Sequence, residues 1–180
     1  AGSTTNLTVK CGSFAGKIEG AKHMHGNRYS FFGSETGVDA STYTPIFSIA
    51  NPLKFGGRAC QAVINIQSIA CALKHDRPTV FYLIKNGTLV GAPNFIQYST
   101  VGQGSVALWD TAATGLTISD NESIIWSAPI GETGQLDHDF IDSGLEEITI
   151  QPGEIYSLCA RSVFGTPAFA VGTLNIREDI

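Results

Sequence analysis

Apolar and polar residues alternate in short runs along this chain, and glycine, proline or asparagine cuts each run off. Period-two alternation between turn residues predicts strands rather than helices. The clearest series closes the chain. Ile148-Thr149-Ile150 alternates, Gln151-Pro152-Gly153-Glu154 reads as a turn, and Ile155 to Ala160 forms the next run. After Phe164-Gly165-Thr166-Pro167 a last strand covers Ala168 to Ile176. Pro at the second turn position fixes φ, and the Gly after it supplies the positive φ of a type II turn. Strands joined by such turns are expected to pair antiparallel. The last of them ties the C-terminal residues into a sheet.

Earlier runs follow the same rule. Ile46 to Ala50 is a strand stopped by Asn51-Pro52, and Lys54 to Arg58 with Gly56-Gly57 is a turn. Ala59 to Leu73 is the longest run. Its apolar residues sit at even positions up to Ile66 and at odd positions from Ile69, a phase change that predicts a β-bulge. Thr79 to Ile84 is apolar throughout, so both faces are expected to be covered. Asn86-Gly87 signals a hairpin, with Leu89-Val90 starting the return strand. Asn94 to Tyr98, Ser105 to Trp109, Leu116 to Ile118 and Ile124 to Ser127 are weaker strands, and Phe140-Ile141 follows a polar stretch, Gly131 to Asp139, read as a loop. About eight to ten strands at short spacing predict an all-β, antiparallel β-sandwich or jelly roll with an extended N-terminal arm. The arm takes in residues 1–45, where apolar clusters are short and scattered, though Leu7 to Val9 and Arg28 to Phe32 are candidate strands within it. The jelly-roll domain takes in 46–180.

Composition adds a surface argument. Of the 180 residues 43% are hydrophobic and only 15% charged, so part of the surface is expected to be covered by partners. The net charge of −5 is uneven: from Asn121 onward ten acids face two bases. An acidic body repels phosphate, so nucleic acid is an unfavourable partner. The plainest reading of these acids is a solvated surface. The four cysteines, Cys11, Cys60, Cys71 and Cys159, lack zinc-finger or redox spacing and read as free thiols of a reducing cytoplasm. No apolar run is long enough to span a membrane as a helix, and no signal peptide is evident.

Candidate chemistry is sparse. His23 and His25 flank Met24, a spacing that puts two imidazoles on one face of an extended segment, where copies around an axis would supply metal ligands. Two exposed histidines in a polar arm is the simpler reading. Asp137-His138-Asp139 would offer carboxylates to a cation or a sugar, or would be a solvated loop. Glu146-Glu147 point to opposite faces of any strand and cannot flank one substrate as a glycosidase pair. His75-Asp76 is turn chemistry, Gly102-Gln103-Gly104 lacks a nucleotide-binding context, and Trp109 and Trp126 suit a core better than a sugar platform. No catalytic, cofactor-binding or metal residue is assigned, and no enzyme activity or cofactor is expected.

The order Phe47-Ser48-Ile49-Ala50-Asn51-Pro52, long apolar strand, Phe81 to Leu89, Ile150-Gln151-Pro152-Gly153-Glu154 and a closing Val171 to Asp179 resembles the small jelly-roll proteins of tailed-phage virions. It is also similar to the trimeric jelly rolls of the tumour-necrosis-factor and complement-head type. The resemblance implies a virion protein, a homotrimer, that decorates or cements a capsid by binding the major capsid protein, made in the host cytoplasm. The alternative it implies is a tail-fibre, spike or head-fibre module that recognises host-surface glycans.

Overall fold

The computed structural model describes residues 26–74, 77–100, 103–120, 123–131, 134–139, 148–164 and 168–179. Among them are fifteen strands and no α-helix. In chain order these are β1 (Asn27–Val38), β2 (Thr44–Ala50), β3 (Lys54–Phe55), β4 (Arg58–Ala59), β5 (Val63–Leu73), β6 (Thr79–Lys85), β7 (Thr88–Gly91), β8 (Ile96–Thr100), β9 (Gln103–Asp110), β10 (Ala113–Thr117), β11 (Ile124–Ile130), β12 (Gln135–Asp139), β13 (Ile148–Ile150), β14 (Ile155–Ser162) and β15 (Ala168–Asp179). The chain is an all-β, antiparallel sandwich, as its alternation predicts.

Sheet I has the order β1-β15-β5-β12, and β13 shares the free edge of β5 with β12. Sheet II has the order β11-β6-β14-β2-β9-β8. Between them lies one core that includes Phe31, Ile64, Ile69 and Leu174 from sheet I and Phe47, Phe81, Leu83 and Leu158 from sheet II. Edge strand β11 carries Pro129, whose missing N–H an edge tolerates.

The predicted bulge is in β5. Asn175 of β15 pairs with Ser68 and Ile176 with Ile66, so Gln67 is the extra residue. The bulge keeps both halves of β5 facing the core: Ile64 and Ile66 before it, Ile69, Cys71 and Leu73 after it, all buried. Strand β6 is covered on both faces, again as its apolar run predicts. Phe81 and Leu83 enter the main core, while Ile84 joins Leu116 and Cys159 in a second cluster on the outer side of sheet II. The lid over that side is the β7–β10 ribbon, in which Leu89 pairs with Leu116.

Three expectations are corrected. Asn86 does take a positive φ of 52°, but β7 does not return along β6; it leaves the sheet and pairs with β10. Strand β6 already has β11 on one side and β14 on the other, so no edge of it is left for β7, and Asn86 itself is tied to β14, its Oδ1 accepting the Ile155 N–H at 2.9 Å. The closing strands do not pair with one another either. Gly153 has φ 92° and Glu154 N–H donates to the Gln151 carbonyl, so the turn forms as expected, yet it carries the chain from β13 in sheet I to β14 in sheet II. The next connection returns it to β15 in sheet I. Finally, β1 lies inside the stretch read as an arm, and it pairs with β15 from Asn27 to Val38, burying Tyr29 and Phe31. The folded body therefore starts no later than residue 27. Residues 1–25, with Leu7 to Val9, lie outside the described residues.

Cys60, Cys71 and Cys159 are free thiols. Burial pushes the Cys71 thiol up from 9.0 to about 12 and raises that of Cys159 still further. A thiol held neutral in the fold but free to ionise in the unfolded chain contributes stability that is lost as pH climbs from 9 towards 12. The unfolding free energy measured with urea is expected to fall across that window with a slope of about 1.4 kcal/mol per pH unit for each buried thiol. Replacing Cys71 by Ala should flatten the curve, whereas an unchanged slope would show that other groups carry the titration.

Candidate functional site

Few of the residues singled out by chemistry come together. His23, His25, His75, Asp76 and Glu146-Glu147 lie outside the described residues. Among the described residues no group of three or more His, Cys, Asp and Glu side chains gathers to hold a metal ion. Asp137-His138-Asp139 is not in a loop: its backbone belongs to β12, antiparallel to β5, with Asp137 opposite Ala70 and Asp139 opposite Ser68. Gln103 and Gly104 begin a strand, and Trp109 and Trp126 pack partly buried against the core.

The sequence reading missed the group that the sandwich is closed around. Glu178 was counted with the solvated acids, yet it is 0% exposed. Its carboxylate accepts from the Ser105 hydroxyl, from the Val106 N–H at 3.2 Å and from the Ala107 N–H at 3.1 Å. The need arises in β9. Between Leu108 and Gly104 the strand holds three residues where its partner β8 holds one, so amides there fall out of the β8–β9 ladder. Glu178 reaches from sheet I and takes them. Both oxygens are engaged and no face is open to solvent, so the carboxylate is a brace between sheets and not an acid–base group for a substrate. Burial, and after it the Glu178 charge, raises the pKa of the neighbouring Tyr29 phenol. Strand parity was the available signal: Leu174 and Ile176 point inward, so Glu178 two residues on does too.

Other buried polar groups are likewise braces. Asn51 donates to the carbonyls of Ala62 at 2.8 Å and Ile150 at 2.9 Å. The hydroxyls of Ser48 and Ser157 meet at 2.7 Å. Asp110 accepts the N–H groups of Asn94, Ala112 and Ala113.

What remains for function is surface, and the outer face of sheet I stands apart. Register places its side chains in rows: Ser30, Asn175 and Ser68; then Phe32, Thr173 and Ala70; then Ser34, Val171 and Ala72. None of these nine residues is charged, while β12 continues the three rows with Asp139, Asp137 and Gln135. Phe32 stands out from the middle row, 59% exposed. On the far side of β15 the face sinks into a groove of about 340 Å³ between β15, β5 and β12, lined by Ala70, Ala72, Gln135, Leu136, Val171 and Thr173. The face is bounded at one end by Arg177, which holds Asp179 through two bonds of 2.9 and 3.0 Å. At the other end Lys74 lies over the Phe169 ring, 5.6 Å from its centroid. A second groove, of about 450 Å³, opens beside the β3–β4 hairpin and is lined by Phe55, Arg58, Cys60 and Val106. No family model, curated protein or solved structure matches the chain.

Proposed function

We propose that the protein is a structural component of a particle, and that it works by assembly rather than by catalysis. The observation that carries this reading is the uncharged stretch that β1, β15 and β5 share on the outer face of sheet I. Solvated antiparallel sheets present polar and charged residues on the outer side. A face of Ser, Thr, Ala, Val and Phe suits contact with protein, because charged residues are depleted at the core of interfaces.

The strand order supports a finer reading. The order β1-β15-β5-β13 facing β2-β14-β6-β11, with most of these strands crossing to the other sheet in turn, fits what a jelly roll of two Greek keys would give. On that basis, and on the resemblance of its ordered motifs to phage virion jelly rolls, the protein is a capsid decoration protein that binds between subunits of a tailed-phage head. Residues 1–25 then contribute contacts with the major capsid protein.

Cosedimentation with shells of the cognate major capsid protein tests this. The full chain is expected to pellet with shells. A chain starting at Gly26 keeps β1 and should stay folded while binding at least about tenfold more weakly. A full chain that leaves the shells untouched would remove the capsid reading, and a truncated chain that binds as well as the full one would remove the arm's part in it. Truncation beyond Asn27 is no test, since it deletes an edge strand of the sandwich.

A further inference from the structure

We infer that the outer face of sheet I is where two copies of this chain meet, Phe32 of each lodging in the groove between β15, β5 and β12 of the other. The inference rests on the reading of the protein as an assembling component, and not on a capsid as its partner.

A surface that meets a copy of itself must be self-complementary, because a two-fold axis brings the same patch to both sides. Charge is the first obstacle, since like charges would face each other. Across β1, β15 and β5 the three rows carry none, and the acids with which β12 continues two of them, Asp139 and Asp137, lie to one side of β15, so a two-fold axis along that strand does not set them against their own kind. Shape is the second. The face holds a projection and a recess on opposite sides of its central strand: Phe32 on β1, and the groove on the β5–β12 side. Both lie level with Thr173 and Ala70, in the row to which Phe32 belongs. A two-fold axis lying in the interface along β15 exchanges the two sides, so each copy gives one ring and receives one. The recess is floored by alanines, which leaves room for a ring that larger side chains would fill.

Position along the sheet edges agrees. The axis sets β1 of one copy over β12 of the other. β1 carries Arg28, and β12 carries Asp137 and Asp139 in register with Ala70 and Ser68. Edges of opposite sign thus approach one another and not their own kind. Size agrees too. Four strands about 4.8 Å apart and a central strand of twelve residues, at about 3.3 Å each, give a face on the order of the ~800 Å² per partner that a stable pair buries.

Sedimentation equilibrium and a native mass spectrum of the full chain read the outcome. The wild-type protein is expected to be a dimer at micromolar concentration. Phe32→Asp puts a charge into the partner's apolar groove, and Ala70→Arg fills that groove, so either should weaken dimerisation at least about tenfold. Phe32 is exposed, so the Phe32→Asp chain is expected to keep its far-ultraviolet spectrum; if it fails to fold, Ala70→Arg decides alone. Ile125→Asp, an exposed change on β11 of sheet II, should leave the dimer intact. A monomeric or trimeric wild type would overturn the two-fold pairing. So would a dimer that survives both Phe32→Asp and Ala70→Arg. Failure of capsid binding leaves these readings untouched, so the two proposals fall separately.

Discussion

Replacing Glu178 by Ala is expected to lower the unfolding free energy by about 3–5 kcal/mol, the cost of breaking a buried charged network from one side. The loss has two sources. The Val106 and Ala107 N–H groups, which donate to the carboxylate, would be left buried without an acceptor, each worth about 1–3 kcal/mol. The side chain also leaves a void in a fully buried site. Glu178→Gln keeps the shape and one carbonyl oxygen, so it should cost markedly less. Ser105→Ala removes the hydroxyl that donates to Glu178 and accepts from Ala107, and should fall between the two. Urea unfolding of the three variants gives the order directly. A Glu178→Ala chain within about 1 kcal/mol of wild type would show that the β9 amides find another acceptor, and the brace would be unnecessary.

The second large effect is expected at Gly33. Gly33 and Gly172 are register partners on neighbouring strands β1 and β15, and both face the interior. There the opposite sheet leaves no room for a side chain. A Cβ on Gly33 would lie 2.7 Å from the Ile46 carbonyl oxygen and 2.8 Å from the Phe47 ring. The carbonyl belongs to the main chain of β2, at a bulge where Ile46 is the extra residue between Pro45 and Phe47, which are both paired to β14. Gly33→Ala is therefore expected to cost about 3 kcal/mol through overpacking. A Cβ on Gly172 meets the end of the Leu158 side chain, which can rotate away, so Gly172→Ala should cost less. Comparing the two melting curves checks the argument. Equal losses would mean that the sheets separate as rigid bodies, and a neutral Gly33→Ala would mean that β2 yields.

Alternation made the architecture legible. The bulge at Gln67 and the double coverage of β6 both follow from which positions along a run are apolar, and both are properties of single strands. Pairing is a property of two strands, and there local turn chemistry misled. Pro152-Gly153 and Asn86-Gly87 form the turns their residues demand, but a turn fixes a change of direction and not the sheet that receives the next strand. The β12 backbone was hidden because Gln135 to Asp139 has no apolar alternation of its own; its pairing comes from β5. Glu178 was hidden for the opposite reason. Charge marked it as surface while parity marked it as core, and parity was correct because an irregular strand across the sandwich needed an acceptor. The uncharged stretch shared by β1, β15 and β5 is legible only after pairing, since one row alone combines Ser30, Ser68 and Asn175.

The position of β15 bears on how the protein is made. It lies between β1 and β5, so sheet I has no central strand until residues 168–179 have left the ribosome. Until then β1 has no neighbour in its sheet, and the Phe31 ring that it carries has nothing from β15 beside it. The amides of β9 wait for Glu178 in the same way. Synthesis at about 5–20 residues per second leaves β1 without β15 for many seconds. Long-range pairing of this kind is also intrinsically slow, in the range of about milliseconds to seconds. The nascent chain thus acquires the outer face of sheet I only once β15 is made, which delays contact between copies until each has a complete sandwich to offer.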